Sequence, residues 1–151
     1  MKLPIYLALC VSLIYYTTAT VSNPCLETLG EGEYCIYSTQ AITSPLVTKR
    51  NDLGFSYIYY CDSGDAARLR SLFDSIDGES ITLTNTNASS VLAKLHYQEV
   101  SQLTLGETQL IYAYSPRGKS FIMDNNTKIN LQIVITGGIT TVGWPVILGS
   151  F

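Results

Sequence analysis

The apolar positions of residues 64–76 predict an amphipathic helix. The apolar residues that recur there at helical spacing, with polar residues between them, are Ala66, Leu69, Leu72, Phe73 and Ile76. Such a stripe requires a surface to pack against. Ser63 is suited to cap the start of this helix and Gly78 to end it. A second, shorter helix is predicted from its cap, Asn87, through Leu95, with Val91, Leu92 and Leu95 on its buried side.

The other apolar segments alternate with polar residues and predict strands. We place strands at residues 34–38, 55–61, 80–84, 96–104, 109–114 and 119–123, followed by a final pair. The polar run 49–54 between the first two is predicted to be a turn. Ser115 to Gly118 has Pro and Gly where a type I turn prefers them, and residues 124–126 form another turn. Several consecutive hairpins indicate an antiparallel meander.

The final hairpin has a register that its own side chains specify. Gly137-Gly138 suits a two-residue loop with positive φ at both positions. This loop pairs Thr136 with Ile139 and Ile133 with Val142. One face then collects the apolar residues of both strands, namely Ile129, Leu131, Ile133, Ile135, Val142, Trp144 and Val146. A slip by one residue would turn Val142 and Trp144 to the polar face, so this register is strongly favoured.

Together these elements predict an α+β fold. We expect a curved antiparallel sheet of about six or seven strands with two helices on one face. Residues 33–151 are expected to form a single domain, because this length suits one core and no internal boundary is evident. Residues 23–32, rich in Gly, Glu and Pro, are predicted to be a linker.

The first 22 residues have the pattern of an export signal. Lys2 precedes an apolar run, and small and polar residues follow it up to Ser22. The strictly apolar part is shorter than the roughly 20 residues that cross a bilayer. We therefore expect a cleaved signal peptide, with an uncleaved membrane anchor as the alternative. Contact with a membrane is expected only through this segment, and the protein is expected to be secreted or anchored on the outer face of the cytoplasmic membrane.

Charge and motifs exclude several classes of function. The chain has 9 basic and 12 acidic residues, a net charge of −3, and no basic cluster. Binding to nucleic acid is not expected, because phosphate contacts require many Lys and Arg side chains on one surface. No zinc-binding or nucleotide-binding spacing occurs, so no cofactor and no metal are predicted.

Three cysteines follow the export segment, at positions 25, 35 and 61. An odd number in an exported protein leaves at least one thiol unpaired within the chain. Cys25 and Cys35 are the nearest pair in sequence and are the candidate disulfide. Pairing of Cys35 with Cys61 and a fully reduced state, with buried thiols acting as small apolar groups, are the alternatives.

One combination of residues suggests an enzyme. Cys61 stands at a predicted strand end, and His96 is the single histidine of the chain. If the fold joined them, they would form a Cys–His nucleophilic pair of a small hydrolase or thiol enzyme. The spacing does not require this pairing, so a non-enzymatic binding or structural role is the leading hypothesis.

Tyrosines are the candidate binding residues. Alternation places Tyr112 and Tyr114 on one face of a strand. Tyrosines on an exposed sheet face suit a protein, peptide or glycan partner, because each ring offers apolar area and a polar tip. A contiguous apolar patch beside them would favour an inhibitor or adhesin module.

The final hairpin also resembles a known family. Residues 128–135 read Lys-Ile-Asn-Leu-Gln-Ile-Val-Ile, and residues 140–147 read Thr-Thr-Val-Gly-Trp-Pro-Val-Ile. These segments are similar to the ending of the YwmB-like family of spore-forming Firmicutes. The resemblance implies an exported protein with a fold like that of the TATA-box-binding protein and an envelope-side role linked to sporulation. It does not imply DNA binding, because fold alone does not carry function.

Overall fold

A computed structural model describes residues 23–148 of the chain. The predicted export segment, residues 1–22, lies outside the described residues. Two short 3-10 helices cover Leu26–Leu29 and Ser63–Asp65. The α-helices are α1 (Ala66–Arg70) and α2 (Ala88–Leu95). The strands are β1 (Glu33–Ser38), β2 (Lys49–Asp52), β3 (Tyr57–Asp62), β4 (Gly78–Thr84), β5 (Gln98–Leu105), β6 (Thr108–Tyr114), β7 (Ile122–Asp124), β8 (Thr127–Ile129), β9 (Leu131–Thr136) and β10 (Ile139–Trp144).

Eight of these strands form one antiparallel sheet, in the order β2-β3-β1-β4-β10-β9-β6-β5. The α+β class with a large antiparallel sheet is therefore confirmed, but the sheet has more strands than the six or seven expected. One source of the difference is Lys49–Asp52, which was predicted to be a turn and is the edge strand β2. This edge strand is largely exposed, so it carries no apolar alternation to reveal it.

The register of the final hairpin is confirmed. Thr136 pairs with Ile139 and Ile133 with Val142. Gly137 and Gly138 have φ of 56° and 79°, so both loop positions use the left-handed region that glycine enters without a Cβ clash. The shared apolar face of the two strands lies in the core, where Leu131, Ile133, Val142 and Trp144 are buried.

The first strand of this hairpin was predicted to include Ile129, but the strand is interrupted after that residue. Residues 127–129 pair with residues 122–124 as a separate two-stranded ribbon, β7-β8. Asn130, which is fully buried, separates β8 from β9. Its side-chain amide donates to the carbonyl of Ser115 and accepts from the N–H of Ser115, each at 2.9 Å. The turn predicted from Ser115 to Gly118 also forms, because the N–H of Gly118 donates to the carbonyl of Ser115.

The helices pack on one side of the large sheet. Leu69 from α1 and Val91 from α2 are buried in the same core as Ile81 of β4 and Ile133 of β9. The cap predicted for α2 is confirmed, because Asn87 Oδ1 accepts the N–H of Ser90 at 2.8 Å. Of the residues predicted to be buried on α2, only Val91 is fully so, while Leu92 and Leu95 are partly buried against the core.

The predicted linker belongs to the folded domain. Leu26 and Leu29 of the first 3-10 helix are buried in the main core beneath the sheet. The composition of residues 23–32 concealed this packing, because Leu26 and Leu29 stand among Gly, Glu and Pro residues, and two leucines alone form no periodic pattern. The folded region therefore begins before residue 33.

The first predicted helix is shorter than expected. The α-helix α1 ends at Arg70 rather than at Ile76, and Leu72 is 47% exposed. Ser63 is not its cap, because the Ser63 hydroxyl instead accepts the N–H of Gly32. Gly78 does not end the helix but begins β4. After Arg70 the chain continues with the tighter i→i+3 hydrogen bonds of a 3-10 turn. In one of them, the N–H of Phe73 donates to the carbonyl of Arg70.

No helix within residues 23–148 combines the length and the apolar character needed to cross a membrane.

A pair of leucine truncations tests where α1 ends. Leu69→Ala should lower the free energy of unfolding by about 2–5 kcal/mol, because it leaves a cavity in the core. Leu72→Ala should lower it by no more than about 0.5 kcal/mol, because this side chain is half exposed and lies beyond the helix. Urea unfolding of both variants measures the difference. Equal losses would show that the amphipathic stripe continues past Arg70.

Candidate functional site

The structure does not bring Cys61 and His96 together. Cys61 lies on the core side of β3 and is almost fully buried. Burial raises the pKa of its thiol to about 11, so the reactive thiolate is scarce near neutral pH. His96 is exposed and ends α2 in a left-handed conformation, with φ of 58°. Within residues 23–148 no hydrogen bond joins the two side chains.

The candidate disulfide is not formed. Cys25, Cys35 and Cys61 are all free thiols. Cys25 is exposed beside the first 3-10 helix, on the helical side of the sheet, while Cys35 points to the other side. Cys35 and Cys61 cannot pair either, because β1 and β3 pair Cys35 with Tyr60 and Tyr34 with Cys61, which turns the two thiols to opposite faces.

Tyr112 and Tyr114 share one face of β6, as alternation predicts. This face is the side of the sheet that the helices do not cover, and both rings are half-buried there. Tyr112 lies opposite Ser101 on β5 and Gln132 on β9. Their role in binding stays a prediction.

We call this helix-free side of the large sheet the open face. Alternation along each strand turns its residues outward, and seven of the eight strands contribute hydroxyl, aromatic or aliphatic side chains. They are Ile58 and Tyr60; Cys35 and Tyr37; Ser80 and Thr82; Ile139 and Thr141; Gln132 and Val134; Leu110, Tyr112 and Tyr114; and Ser101, Leu103 and Leu105. Charged groups are few and occur at the β2-β3-β1 side, where Lys49 stands over the ring of Tyr60.

A cleft of about 510 Å³ lies on this face between β3, β1, β4 and β10. Its floor contains Cys35, Tyr37 and Ser80, with the hydroxyls of Tyr37 and Ser80 hydrogen-bonded at 3.1 Å. Burial raises the pKa of both Cys35 and Tyr37 to about 12. These groups are therefore neutral near pH 7, and the cleft floor offers hydrogen bonds and apolar area but no thiolate.

A second depression of about 350 Å³ continues the open face toward β9 and β6. It is lined by Val134, Ile139 and three threonines, and Thr141 lines both hollows. Two leucines of the neighbouring edge strand β5, Leu103 and Leu105, are about half exposed on the same face. The two hollows therefore form one continuous and mainly uncharged surface.

The segment after β10 lies on this surface. The N–H of Ile147 donates to Oε1 of Gln132 at 3.0 Å, and Ile147 packs against Gly143. A Cβ at Gly143 would come within 2.5 Å of the Ile147 side chain, so this contact depends on glycine. Leu148 lies against Gly78 in the same way. An aliphatic segment of the chain itself, which follows a bend at Pro145 and Val146, therefore occupies part of the open face.

The opposite, helical side of the sheet holds a buried cluster of charges. Arg70 donates through Nε to Glu79, through Nη1 and Nη2 to Glu27 at 3.1 and 2.8 Å, and through Nη2 to the Tyr34 hydroxyl at 2.7 Å. Tyr34 in turn donates to Glu79 at 2.8 Å. Burial tends to raise the pKa of Glu27, but its hydrogen bonds with Arg70 outweigh this and lower it. The cluster is a closed ion-pair network and joins four segments of the chain.

Among residues 23–148, no group of three or more His, Cys, Asp or Glu side chains is placed to hold a metal ion.

Comparison of the chain with models of protein families, with curated proteins and with solved structures found no match. The relation to the YwmB-like family therefore stays a prediction from the residues of the final hairpin.

Sequence reasoning missed most residues of the larger cleft. Cys35, Tyr37 and Tyr60 were assigned to strands but not to a shared face, although alternation along the two strands contained that signal. Val146 was expected to belong to the last strand, whereas β10 ends at Trp144 and the following Ile147 and Leu148 fold onto the open face. No local sequence pattern predicts that the chain folds back onto the sheet here, because this contact depends on Gly143 and Gln132 being close in space.

Thiol labelling tests the arrangement of the cysteines. In the folded protein at pH 8, iodoacetamide should modify Cys25 and spare Cys35 and Cys61, whose thiolate fractions are about one in a thousand or less given their pKa values near 12 and 11. Labelling of the buried pair should rise as the pH approaches 11 or when urea is added. Peptide mapping by mass spectrometry gives the modified positions. A linked Cys25–Cys35 peptide would contradict the structure.

Two arginines of α1 test the buried network. Arg70→Met should lower the free energy of unfolding by about 3–5 kcal/mol, because it leaves the Glu79 carboxylate buried without its ionic partner. Arg68→Met should change it by about 0–1 kcal/mol, because this ion pair with Asp65 is exposed. Urea unfolding compares them. Adding Glu79→Leu to Arg70→Met should restore much of the loss, and an unrestored double variant would refute the ionic explanation.

Proposed function

We propose that this chain is an exported, non-enzymatic binding domain whose open face binds an extended peptide segment with aliphatic side chains. The partner is a protein or peptide held by main-chain and side-chain hydrogen bonds together with burial of apolar area. Among the protein, peptide and glycan partners considered from the tyrosines, the chemistry of the open face favours the peptide.

The observation that carries this proposal is the position of Ile147 and Leu148. The open face already accepts an aliphatic segment of the chain, with one hydrogen bond from its main chain to Gln132 and two side chains that lie against glycines. A partner of the same chemistry is recognised by the same kinds of contact in the adjoining hollows. Pairing of main-chain polar groups with aliphatic pockets is a recurring mode of peptide recognition.

The adjoining surface has the character of a peptide-binding site. Ile139, Leu103 and Leu105 are each about half exposed, which leaves apolar area available for burial. Tyr112 and Tyr114 border the same area and supply hydroxyls at its rim. The scarcity of charge across β4, β10 and β9 favours an uncharged segment over an acidic or basic one.

A catalytic role receives no comparable support. The alternative hypothesis of a hydrolase or thiol enzyme rested on Cys61 acting with His96, and one is buried while the other is exposed. The remaining thiol of the larger cleft, Cys35, has a raised pKa and lacks a neighbouring base among its hydrogen-bond partners. A binding role uses the open face without requiring an activated nucleophile.

We also propose that the protein is exported to the cell envelope. It rests on the pattern of residues 1–22 and on the resemblance to the YwmB-like family, which also brings the sporulation context and the TATA-box-binding-protein-like fold as predictions. The net charge of −3 supports a partner other than nucleic acid.

Binding of a labelled peptide tests the proposal. The probe is a fluorescein-labelled peptide with the sequence of residues 145–148, Pro-Val-Ile-Leu, titrated with purified protein and followed by fluorescence anisotropy. We expect saturable binding, and an analogue with Asp in place of Ile should bind at least about tenfold more weakly because its carboxylate loses water in an apolar hollow.

Two matched variants locate the binding surface. Ile139→Glu places a charge on the open face, and Leu72→Glu places one at a position of similar exposure that the open face does not include. Ile139→Glu should weaken peptide binding by about tenfold or more, and Leu72→Glu should leave it unchanged. Absence of saturable binding, or equal affinity in the two variants, would refute binding at the open face.

A further inference from the structure

The ribbon formed by β7 and β8 exposes large apolar side chains to solvent. Its two strands pair with each other and not with the large sheet. Every residue from position 119 to position 128 is exposed. Phe121 and Met123 are exposed by 46% and 55%. Exposed apolar side chains that stand close together mark a contact surface.

The two faces of the ribbon differ in their surroundings. Ile122 lies opposite Ile129, which is buried, so this face of the ribbon is turned toward the domain. On the other face Met123 lies opposite Lys128, and Nζ of Lys128 is 4.5 Å from the centre of the Phe121 ring. Phe121, Met123 and Lys128 therefore share the outward face, which we call the ribbon face.

The charge around the ribbon face is opposite in sign to that of the whole chain. Residues 117–128 contain three basic side chains, Arg117, Lys119 and Lys128, and one acidic side chain, Asp124. Alternation places Asp124 on the opposite face of the ribbon from Lys128. Among the described residues, none of the three basic side chains forms an ion pair. The chain as a whole has a net charge of −3, so this local positive charge favours an anionic partner surface.

The base of the ribbon lies beside the first residue that the structure describes. Asn23 lines one hollow together with Arg117 and a second together with Lys119. Residues 1–22, which precede Asn23, are predicted to be an export signal or a membrane anchor. The chain thus leaves its membrane-directed segment next to the two basic residues that lead into β7. This position favours a lipid bilayer over a soluble anionic partner.

We propose that the ribbon face docks on the surface of an anionic lipid bilayer. Phe121 and Met123 enter the boundary between the headgroups and the acyl chains, while Lys128, Lys119 and Arg117 contact the lipid phosphates. This contact is additional to the one expected through the N-terminal segment. It uses a ribbon that is separate from the open face and does not depend on peptide binding there.

Methionine NMR of the full-length protein tests this contact. The chain has two methionines, Met1 and Met123, so ¹³C-methyl-methionine labelling gives two methyl signals, which Met123→Leu assigns. The protein is placed in nanodiscs of phosphatidylcholine, either alone or mixed with an equal amount of phosphatidylglycerol, with a nitroxide on the acyl chain of a tracer lipid. The Met123 signal should broaden at least about fivefold more in the mixed discs, because basic side chains are attracted to anionic headgroups.

Matched variants separate docking from tethering by the N-terminal segment. Phe121→Asp should lower the broadening at Met123 by about tenfold, because it removes the apolar ring and adds a negative charge beside anionic lipids. Lys128→Gln should lower it by about fivefold, as expected for one basic residue near an anionic surface. Leu105→Asp, at the opposite end of the sheet, and Arg68→Gln, an exposed residue of α1, should leave it unchanged.

Several outcomes would overturn docking at the ribbon face. Equal broadening in neutral and mixed discs, or broadening unchanged in Phe121→Asp and Lys128→Gln, would show that tethering alone brings the ribbon near lipid. An unbroadened Met123 signal would show that lipid does not reach this face. A duplex DNA oligonucleotide that shifts the Met123 signal as much as anionic lipid does would assign the face to polyanions in general. Far-UV circular dichroism confirms that each variant is folded.

Discussion

The buried carboxylate of Glu79 is the constraint on which the rest of the structure depends. It lies on β4 with no exposed surface, and an ionised group in that position is tolerated only when it is paired and hydrogen-bonded. Arg70 and Tyr34 provide these bonds, and Arg70 also binds Glu27. One ion-pair network thus joins the first 3-10 helix, β1, β4 and the end of α1. This requirement explains why residues 23–32 are part of the domain.

The same network organises the helical side of the sheet around Trp144. Glu79 and Trp144 are partners in the register of β4 and β10, so the indole stands beside the charged cluster. Among the described residues, the indole N–H has no hydrogen-bond acceptor.

The open face follows from a different constraint. Two helices and the first 3-10 helix cover one side of an eight-stranded sheet, and the chain supplies no further helix for the other side within the described residues. Hydroxyl and aromatic side chains therefore line that side, and the short segment with Ile147 and Leu148 covers only part of it. The sheet thus has two sides of different chemistry, one with a continuous uncharged groove and one with a buried network of charges.

The sequence by itself determined the features that depend on neighbouring residues. The Gly137-Gly138 loop and the alternation on both sides of it specified the last hairpin, and Asn87 specified the start of α2, because turn and cap energies act over a few residues. Tertiary structure decided where α1 ends, that Lys49–Asp52 forms an edge strand, and that Leu26 is buried. It also decided that Cys61 and His96 stay apart. These outcomes depend on pairing and burial between residues distant in sequence, which local periodicity does not encode.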